Sequence, residues 1–193
     1  MRNLYFTILF AAMALLACNN NTSSEKENKV ASPPSASTQS KLNDAGTKKL
    51  TDMVAAYYAL KDAFVAAKPA MVDSSAGKFL NNTNSLLTYL KDDSANAPLL
   101  KPYLDTIASE TQNLLAIKDE TCEKQRLPFS RISDIMFAML KNAGVKNAII
   151  YQEHCPMAFD SKGANWLSDD ADIKNPYFGK KMLECGEITD SIK

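Results

Sequence analysis

The chain has 193 residues, enough for one globular domain with its own core, and 46% of them are hydrophobic. Its 22 basic and 22 acidic residues balance, and basic and aromatic residues do not interleave, so nothing favours a nucleic-acid partner. The sequence also contains no glycine-rich phosphate loop, and nucleotide binding is therefore not expected.

The first 18 residues have the pattern of an export signal. Arg2 supplies a positive charge, and the apolar run from Leu4 to Leu16 is too short to span a membrane. The run ends in Leu-Leu-Ala-Cys, which resembles the cleavage signal of bacterial lipoproteins. That resemblance implies a signal peptide over residues 1–17 and acyl chains on the Cys18 thiol that anchor the protein to a membrane. Asn19 is not the aspartate that favours the inner membrane in some bacteria, so we expect the outer membrane, facing the periplasm.

Residues 18–42 are expected to form a lipid-anchored tether. The segment from Asn19 to Lys41 contains no aromatic residue, and Val30 is its one large aliphatic residue. Such a segment cannot bury enough apolar surface to order itself. We expect a disordered linker that spans roughly 25–30 Å on average.

Helical periodicity dominates residues 43–144. Apolar residues recur every three or four positions in four stripes, which are separated by turn signals. The stripes contain, in order, Leu50, Met53, Val54, Tyr57, Leu60 and Phe64; Phe79, Leu80, Thr83, Leu86, Leu87 and Leu90; Leu100, Tyr103, Leu104, Ile107, Leu114 and Ile117; and Cys122, Gln125, Phe129, Ile132, Met136, Met139 and Leu140. Four helices with short connections predict a mainly α domain, an antiparallel four-helix up-down bundle.

Capping residues and prolines predict where these helices begin. Asp73 or Ser74 can cap the second helix, and the third helix is expected to start near Pro98 or Pro102. Pro128 falls inside the fourth stripe, where a proline removes a helical hydrogen bond. We therefore expect a kink or a break at Pro128.

Two residues near the start of the fourth stripe have several interpretations. Cys122 lies on the apolar side of the stripe and is expected to be a buried free thiol. Arg126 interrupts the stripe, so its side chain is expected to extend outward or to pair with a carboxylate.

Residues 145–193 are expected to form an irregular extension that packs on the bundle. Gly163, residues 168–170 and the Asn175-Pro176 pair prevent a fifth full-length helix. The apolar run 148–151 suits a short strand, a loop follows, and Asn175-Pro176 is typical of the start of a short helix that ends at Gly186. Trp166 in this extension is expected to fill the core rather than to cover a bound metal.

Four sulfur-containing side chains occur as two pairs in this extension. Cys155 and Met157 lie on one side of the predicted strand, with His154 on the other. Met182 and Cys185 are three residues apart, which places them on one face of the predicted helix. Thiolate and thioether ligands favour Cu(I) and similar soft ions. The sequence thus predicts a soft-metal site made of these four residues, with His154 as an optional ligand.

Two other interpretations of the cysteines stay open. In an oxidising compartment Cys155 and Cys185 can form a structural disulfide, which would stabilise the fold by roughly 3–4 kcal/mol on the chain-entropy model. They can also be inert thiols, with the methionines as ordinary core residues. Catalysis is not expected, because adjacent strand residues diverge, so His154 and Cys155 make a poor dyad. The spacing also lacks the CxxC motif of thiol oxidoreductases.

The motifs HCPMA, KGANWLS and IKNPYFGKKML followed by CGE resemble a family of bacterial domains of unknown function. That family includes stand-alone exported lipoproteins and domains fused to the C-terminus of periplasmic adaptor subunits of heavy-metal efflux pumps. The resemblance covers Leu50 to Ile192, and it implies a helical bundle with a Cys/Met-containing tail in a context of copper or related metals. The matching positions are Cys155, Pro156, Met157, Gly163, Trp166, Leu167, Asn175, Pro176, Tyr177, Gly179, Met182, Cys185 and Gly186.

These observations predict a lipoprotein of the cell envelope that is not an enzyme. It would bind Cu(I) or a similar soft ion, and sequester it or hand it over to a heavy-metal efflux pump component. The alternative is a non-catalytic interaction module, in which a Cys155–Cys185 disulfide is structural and the bundle docks on an efflux or envelope partner.

Overall fold

The computed structural model describes residues 41–145 and 148–193. The predicted signal peptide, the anchoring Cys18 and the tether up to residue 40 lie outside the described residues. The described part is mainly helical, with a small three-stranded antiparallel sheet near its C-terminal end. None of its helices is long and apolar enough to cross a membrane.

Four long helices come first in the described chain. They are α1 (Asp44–Val65), α2 (Pro69–Tyr89), α3 (Ala97–Ala116) and α4 (Arg126–Ala143). Consecutive helices pack on each other, and the predicted stripes supply most of the buried side chains between them. The mainly helical domain is therefore confirmed, whereas the antiparallel up-down arrangement stays a prediction.

Prolines explain where two of the helices begin. Pro69 occupies the first turn of α2, so this helix starts four residues before Asp73, the first of the two predicted caps. Helix α4 begins at Arg126, which places Pro128 in its first turn. A proline there removes no helical hydrogen bond, because the first N–H groups of a helix have no partner within it. The kink expected at Pro128 is therefore replaced by a helix start.

A turn before α4 contains Cys122. This residue has a φ of 61° and is fully buried, so the predicted buried thiol is found in a turn rather than on a helix. Asp119 holds the turn, since its carboxylate accepts hydrogen bonds from the backbone N–H groups of Lys124 and Thr121. These hydrogen bonds lower the pKa of Asp119 to about 2, and the bond from Lys124 has the largest effect.

The C-terminal extension contains three strands where the sequence predicts one. They are β1 (Ile150–Cys155), β2 (Ala164–Ser168) and β3 (Glu187–Ile192), in the order β2-β1-β3. The predicted short helix from Asn175 to Gly186 is instead a loop with one 3₁₀ turn, Gly179–Met182. The last residues pair with β1 through backbone hydrogen bonds, a non-local contact that their mixed polar pattern does not reveal.

Tyr57 connects the sheet to the helices. Its hydroxyl accepts a hydrogen bond from the backbone N–H of Leu167 in β2 at 3.1 Å and lies 2.6 Å from Ser133 Oγ in α4. All three residues are fully buried. The hydroxyl of this α1 residue thus satisfies polar groups of two other elements, α4 and β2, where no solvent reaches them.

Tyr57→Phe is expected to lower the free energy of unfolding by about 1–3 kcal/mol, because it leaves the Leu167 N–H buried without a partner. Urea denaturation followed by circular dichroism measures this loss. Tyr58→Phe on the same helix is the matched control, and it should change stability by less than about 0.5 kcal/mol, since that hydroxyl takes no part in this link. Equal effects of the two substitutions would contradict the assigned role of Tyr57.

Candidate functional site

The fold brings Cys155 and Cys185 together. Cys155 is the last residue of β1 and is fully buried, while Cys185 lies just before β3 and is partly buried. Their Sγ atoms are 3.2 Å apart, although 30 residues separate them along the chain. Both are free thiols in the structure. The predicted convergence of the two cysteines is therefore found, and it arises because β1 and β3 are neighbours in the sheet.

Asn175 holds the segment that carries Cys185. Its Nδ2 donates to the Cys185 backbone carbonyl at 2.7 Å, and its Oδ1 accepts from the Tyr177 backbone N–H at 2.7 Å. Its own backbone N–H donates to the carbonyl of Leu183. Asn175 is fully buried, so these bonds are shielded from water. The sequence predicts Asn175 as a helix cap, and the structure shows instead that it braces the loop beside the thiol pair.

Two glycines allow the backbone to approach closely around this site. A Cβ atom at Gly186 would lie 2.7 Å from Trp166 Cη2 and 2.9 Å from the His154 carbonyl oxygen. Gly163 has a φ of +78°, and a Cβ there would lie 2.6 Å from His154 Cε1. Any larger residue at these positions would displace the segments that border the thiol pair.

Met157 and Met182 line one cavity of about 460 Å³. Met157 lies two residues after Cys155 and is 50% exposed, and Met182 lies three residues before Cys185 and is partly exposed. The cavity is also lined by Phe159, Tyr177 and the Arg126 side chain. The two thiols do not line this cavity. The four sulfur residues therefore form two neighbouring pairs, thiol with thiol and thioether with thioether, rather than one closed cage.

His154 faces away from the thiol pair. It alternates with Cys155 along β1, so its ring lies on the other face of the sheet. The Nδ1 atom is 2.7 Å from Asn165 Oδ1, an acceptor, so Nδ1–H donates in this contact. Asn165 is held in turn by Asp134 of α4, which accepts a hydrogen bond from its Nδ2. His154, which the sequence predicts as an optional metal ligand, therefore makes a separate polar contact with Asn165.

The environment of Cys185 favours the protonated form of this thiol. The hydrogen-bond contact with the Cys155 sulfur raises the pKa of Cys185 above its ordinary value, and burial adds to this rise. A metal ion binds the thiolate form, so binding at this pair would release protons and would strengthen as the pH rises.

Arg126 differs from both interpretations of its sequence position. It is only 6% exposed, and its Nε donates to the backbone carbonyl of Pro176 at 3.0 Å. Among the described residues it forms no ion pair with a carboxylate. Burial lowers the pKa of the guanidinium, although arginine remains charged in proteins. The side chain therefore brings a buried positive charge to the wall of the methionine-lined cavity.

Glu153 is a second buried charged residue beside the site. It lies two positions before Cys155, on the same face of β1, and pairs across the sheet with Trp166. Glu153 and Trp166 are fully buried, and neither Glu153 carboxylate oxygen has a hydrogen-bond partner in the part of the chain described. Burial raises the pKa of Glu153 to about 7, and the charge of Lys61 opposes this rise. Its neighbours in the strand, Gln152 and His154, are polar, so the local sequence gives no signal that Glu153 is buried.

Larger clusters of potential metal ligands are not found in the described part of the chain. In the ranges 41–145 and 148–193, no group of three or more histidine, cysteine, aspartate or glutamate side chains could hold a metal ion.

Comparison with known proteins finds a family match for the helical part of the chain. Residues 53–148 match a family described as "Protein of unknown function (DUF3347)". The match runs from the middle of α1 to the residues just before β1, so it covers most of the four helices. Both cysteines of the pair and both methionines of the cavity lie beyond its end. No curated protein and no solved structure matches the chain.

Proposed function

We propose that this protein binds a soft metal ion, Cu(I) in the first place, through the thiolates of Cys155 and Cys185. The observation that carries the proposal is the 3.2 Å distance between their sulfur atoms, which belong to segments far apart in the chain. Soft ions prefer such sulfur ligands over the oxygen ligands that dominate the protein surface.

The geometry of the pair is close to what one ion requires. At the Zn–S bond length of about 2.3 Å and a tetrahedral angle, the best-characterised geometry for a thiolate-bound ion, two sulfurs are roughly 3.8 Å apart. The Sγ atoms would therefore have to separate by roughly half an ångström, a shift that side-chain rotation of the partly exposed Cys185 can supply.

The methionines give the ion a path to and from the thiols. Met157 and Met182 line a cavity that opens to solvent, and each is close along the chain to one cysteine. Thioethers are neutral and need no deprotonation before they bind a soft ion. In this proposal the thiolates provide affinity, and the thioethers of Met157 and Met182 permit entry and exchange.

The cellular context is part of the same proposal. The sequence pattern around Cys18 supports an exported lipoprotein, anchored to the outer membrane and facing the periplasm. A four-helix up-down bundle would carry the site at the end of a flexible tether. The protein would sequester the ion or hand it over to a heavy-metal efflux pump component, without catalysing a reaction.

A second candidate function rests on the same sulfur distance. If the thiols oxidise, Cys155 and Cys185 form a structural disulfide after an approach to about 2.0 Å. The domain would then be a non-catalytic interaction module that docks on an efflux or envelope partner. Because a disulfide consumes the thiolates, metal binding and this alternative exclude each other.

A copper titration separates the two functions. With Cys18→Ser, the chain keeps three cysteines, so a thiol count of three after anaerobic purification means a reduced pair and a count of one means a disulfide. We expect three thiols and one Cu(I) per chain retained after desalting against a colorimetric Cu(I) chelator.

Variants of single cysteines locate the ion. Cys155→Ser and Cys185→Ser should each abolish Cu(I) retention, whereas Cys122→Ser, a matched change at a buried thiol elsewhere, should preserve it. The double variant Met157→Leu, Met182→Leu should slow transfer of copper to the chelator, because it removes the exchange ligands, while leaving the stoichiometry at one. Retention of copper by Cys155→Ser, or a thiol count of one, would refute the metal-binding proposal.

A further inference from the structure

The wall of the methionine-lined cavity contains a buried arginine, on which the carboxylates of Glu123 and Asp119 act only from beyond ion-pair distance. Arg126 is buried and lines the cavity, yet no carboxylate of the described chain pairs with it. Its one hydrogen bond through Nε to the Pro176 carbonyl leaves the two Nη groups for other partners. An anion bound at these Nη groups would accept charge-assisted hydrogen bonds in a site that is partly shielded from water.

The remaining walls of the cavity are mostly apolar. Phe159, Tyr177 and Phe178 contribute aromatic side chains, and Met157 and Met182 contribute flexible thioethers. Its volume of about 460 Å³ is that of a site for a small molecule. Apolar walls with one convergent charged group are typical of sites that bind an ion with a hydrophobic portion.

We propose that this cavity binds a small organic carboxylate with a short apolar chain. The carboxylate would accept two parallel hydrogen bonds from the Arg126 guanidinium, a geometry that arginine matches closely. The apolar chain would pack between the aromatic rings and the methionine side chains. This binding site is additional to the proposed metal site, with which it shares only Met157 and Met182.

The acidic residues at the rim of the cavity favour a ligand with a single negative charge. Glu123 and Asp160 line the same cavity and are exposed, so their charges lie near its mouth. Their repulsion grows with the charge of the ligand, so it weakens the binding of phosphate, with up to two negative charges, more than the binding of a monocarboxylate. A monocarboxylate needs only the one positive charge that Arg126 supplies.

Calorimetric titration of hexanoate into the reduced, metal-free Cys18→Ser chain tests the proposal. We expect saturable binding of one hexanoate per chain, with 1-hexanol and inorganic phosphate each binding at least tenfold more weakly. Hexanol has the apolar chain without the charge, and phosphate has the charge without the chain. If either of them binds as tightly as hexanoate, the proposed ligand class is wrong.

Substitutions at the cavity should move the affinity in opposite directions. Arg126→Met should weaken hexanoate binding at least tenfold, and Glu123→Gln should strengthen it about two- to fivefold by removing a repulsive charge. Lys124→Met removes an exposed positive charge outside the cavity lining and should leave the affinity unchanged. Should Arg126→Met fail to fold, Glu123→Gln decides the matter, since unchanged or weaker binding by that variant overturns the proposal.

The same titration is independent of the metal-binding proposal. Cys155→Ser should bind hexanoate with the affinity of the parent chain, because neither thiol lines the cavity. Loss of copper with retained hexanoate binding, or the reverse, shows which of the two proposals fails. Loss of hexanoate binding in Cys155→Ser would overturn the separate site inferred here.

Discussion

Phe129→Ala is expected to lower the free energy of unfolding by about 3–5 kcal/mol, the largest effect of any single truncation that we predict. Phe129 is fully buried in α4. Its ring centroid lies 4.7 Å from that of Phe64, 5.6 Å from that of Tyr57 and 6.0 Å from that of Tyr177. The first two belong to α1 and the third to the C-terminal extension. Truncation would thus open a cavity where three parts of the fold meet.

Urea denaturation of the wild-type and variant chains measures the loss at Phe129. Leu127→Ala provides the control, because Leu127 lies two residues away on the same helix, is also a large hydrophobic residue truncated to alanine, and is 45% exposed. This control should cost less than about 1 kcal/mol. A loss below about 1.5 kcal/mol for Phe129→Ala would mean that the helices and the extension do not share one core.

Glu153→Gln is expected to stabilise the protein at alkaline pH. The carboxyl is fully buried, and burial raises its pKa from 4.5 to about 7. The folded state therefore holds a proton that the unfolded state releases at lower pH. This contribution is fully present below about pH 4.5 and is lost as the pH rises through 7, with a total of about 3 kcal/mol.

The glutamine variant cannot ionise, so it should escape this loss. We expect its stability to be close to that of the wild type at pH 5, and to exceed it by up to about 3 kcal/mol at pH 8.5. Thermal or urea unfolding across this range gives both curves. Glu184→Gln, at an exposed carboxylate, should follow the wild-type profile at every pH. Parallel curves for Glu153→Gln and the wild type would show that Glu153 is ionised at neutral pH in the folded protein.

Much of the helical domain could be predicted from local sequence patterns. The stripe through Leu50, Tyr57 and Phe64 is buried as its spacing requires, because a helix of 3.6 residues per turn places these positions on one face. The end of α4 at Ala143 follows from Gly144, which adopts a left-handed conformation with a φ of 67°. Such signals depend on a few neighbouring residues, and the sequence contains them in full.

The details of the extension could not be predicted in the same way. Strand β3 exists because it pairs with β1, and its own residues alternate too weakly to indicate a strand. Asn175 and Pro176 have the form of a helix start, but the Asn175 side chain instead bonds to the Cys185 carbonyl. Contacts between residues ten or more positions apart overrode the local preference.

The sequence alone predicted four amphipathic helices, and it places the proposed soft-metal ligands Cys155, Met157, Met182 and Cys185 in the last fifty residues. Only the tertiary structure decided that the Cys155 and Cys185 sulfurs come within 3.2 Å, and that the charged residues Arg126 and Glu153 are buried. Periodicity reports which side of an element is apolar, since that depends on neighbours along the chain. Proximity between distant residues and the burial of a charge depend on how the elements pack, and no local pattern encodes that packing.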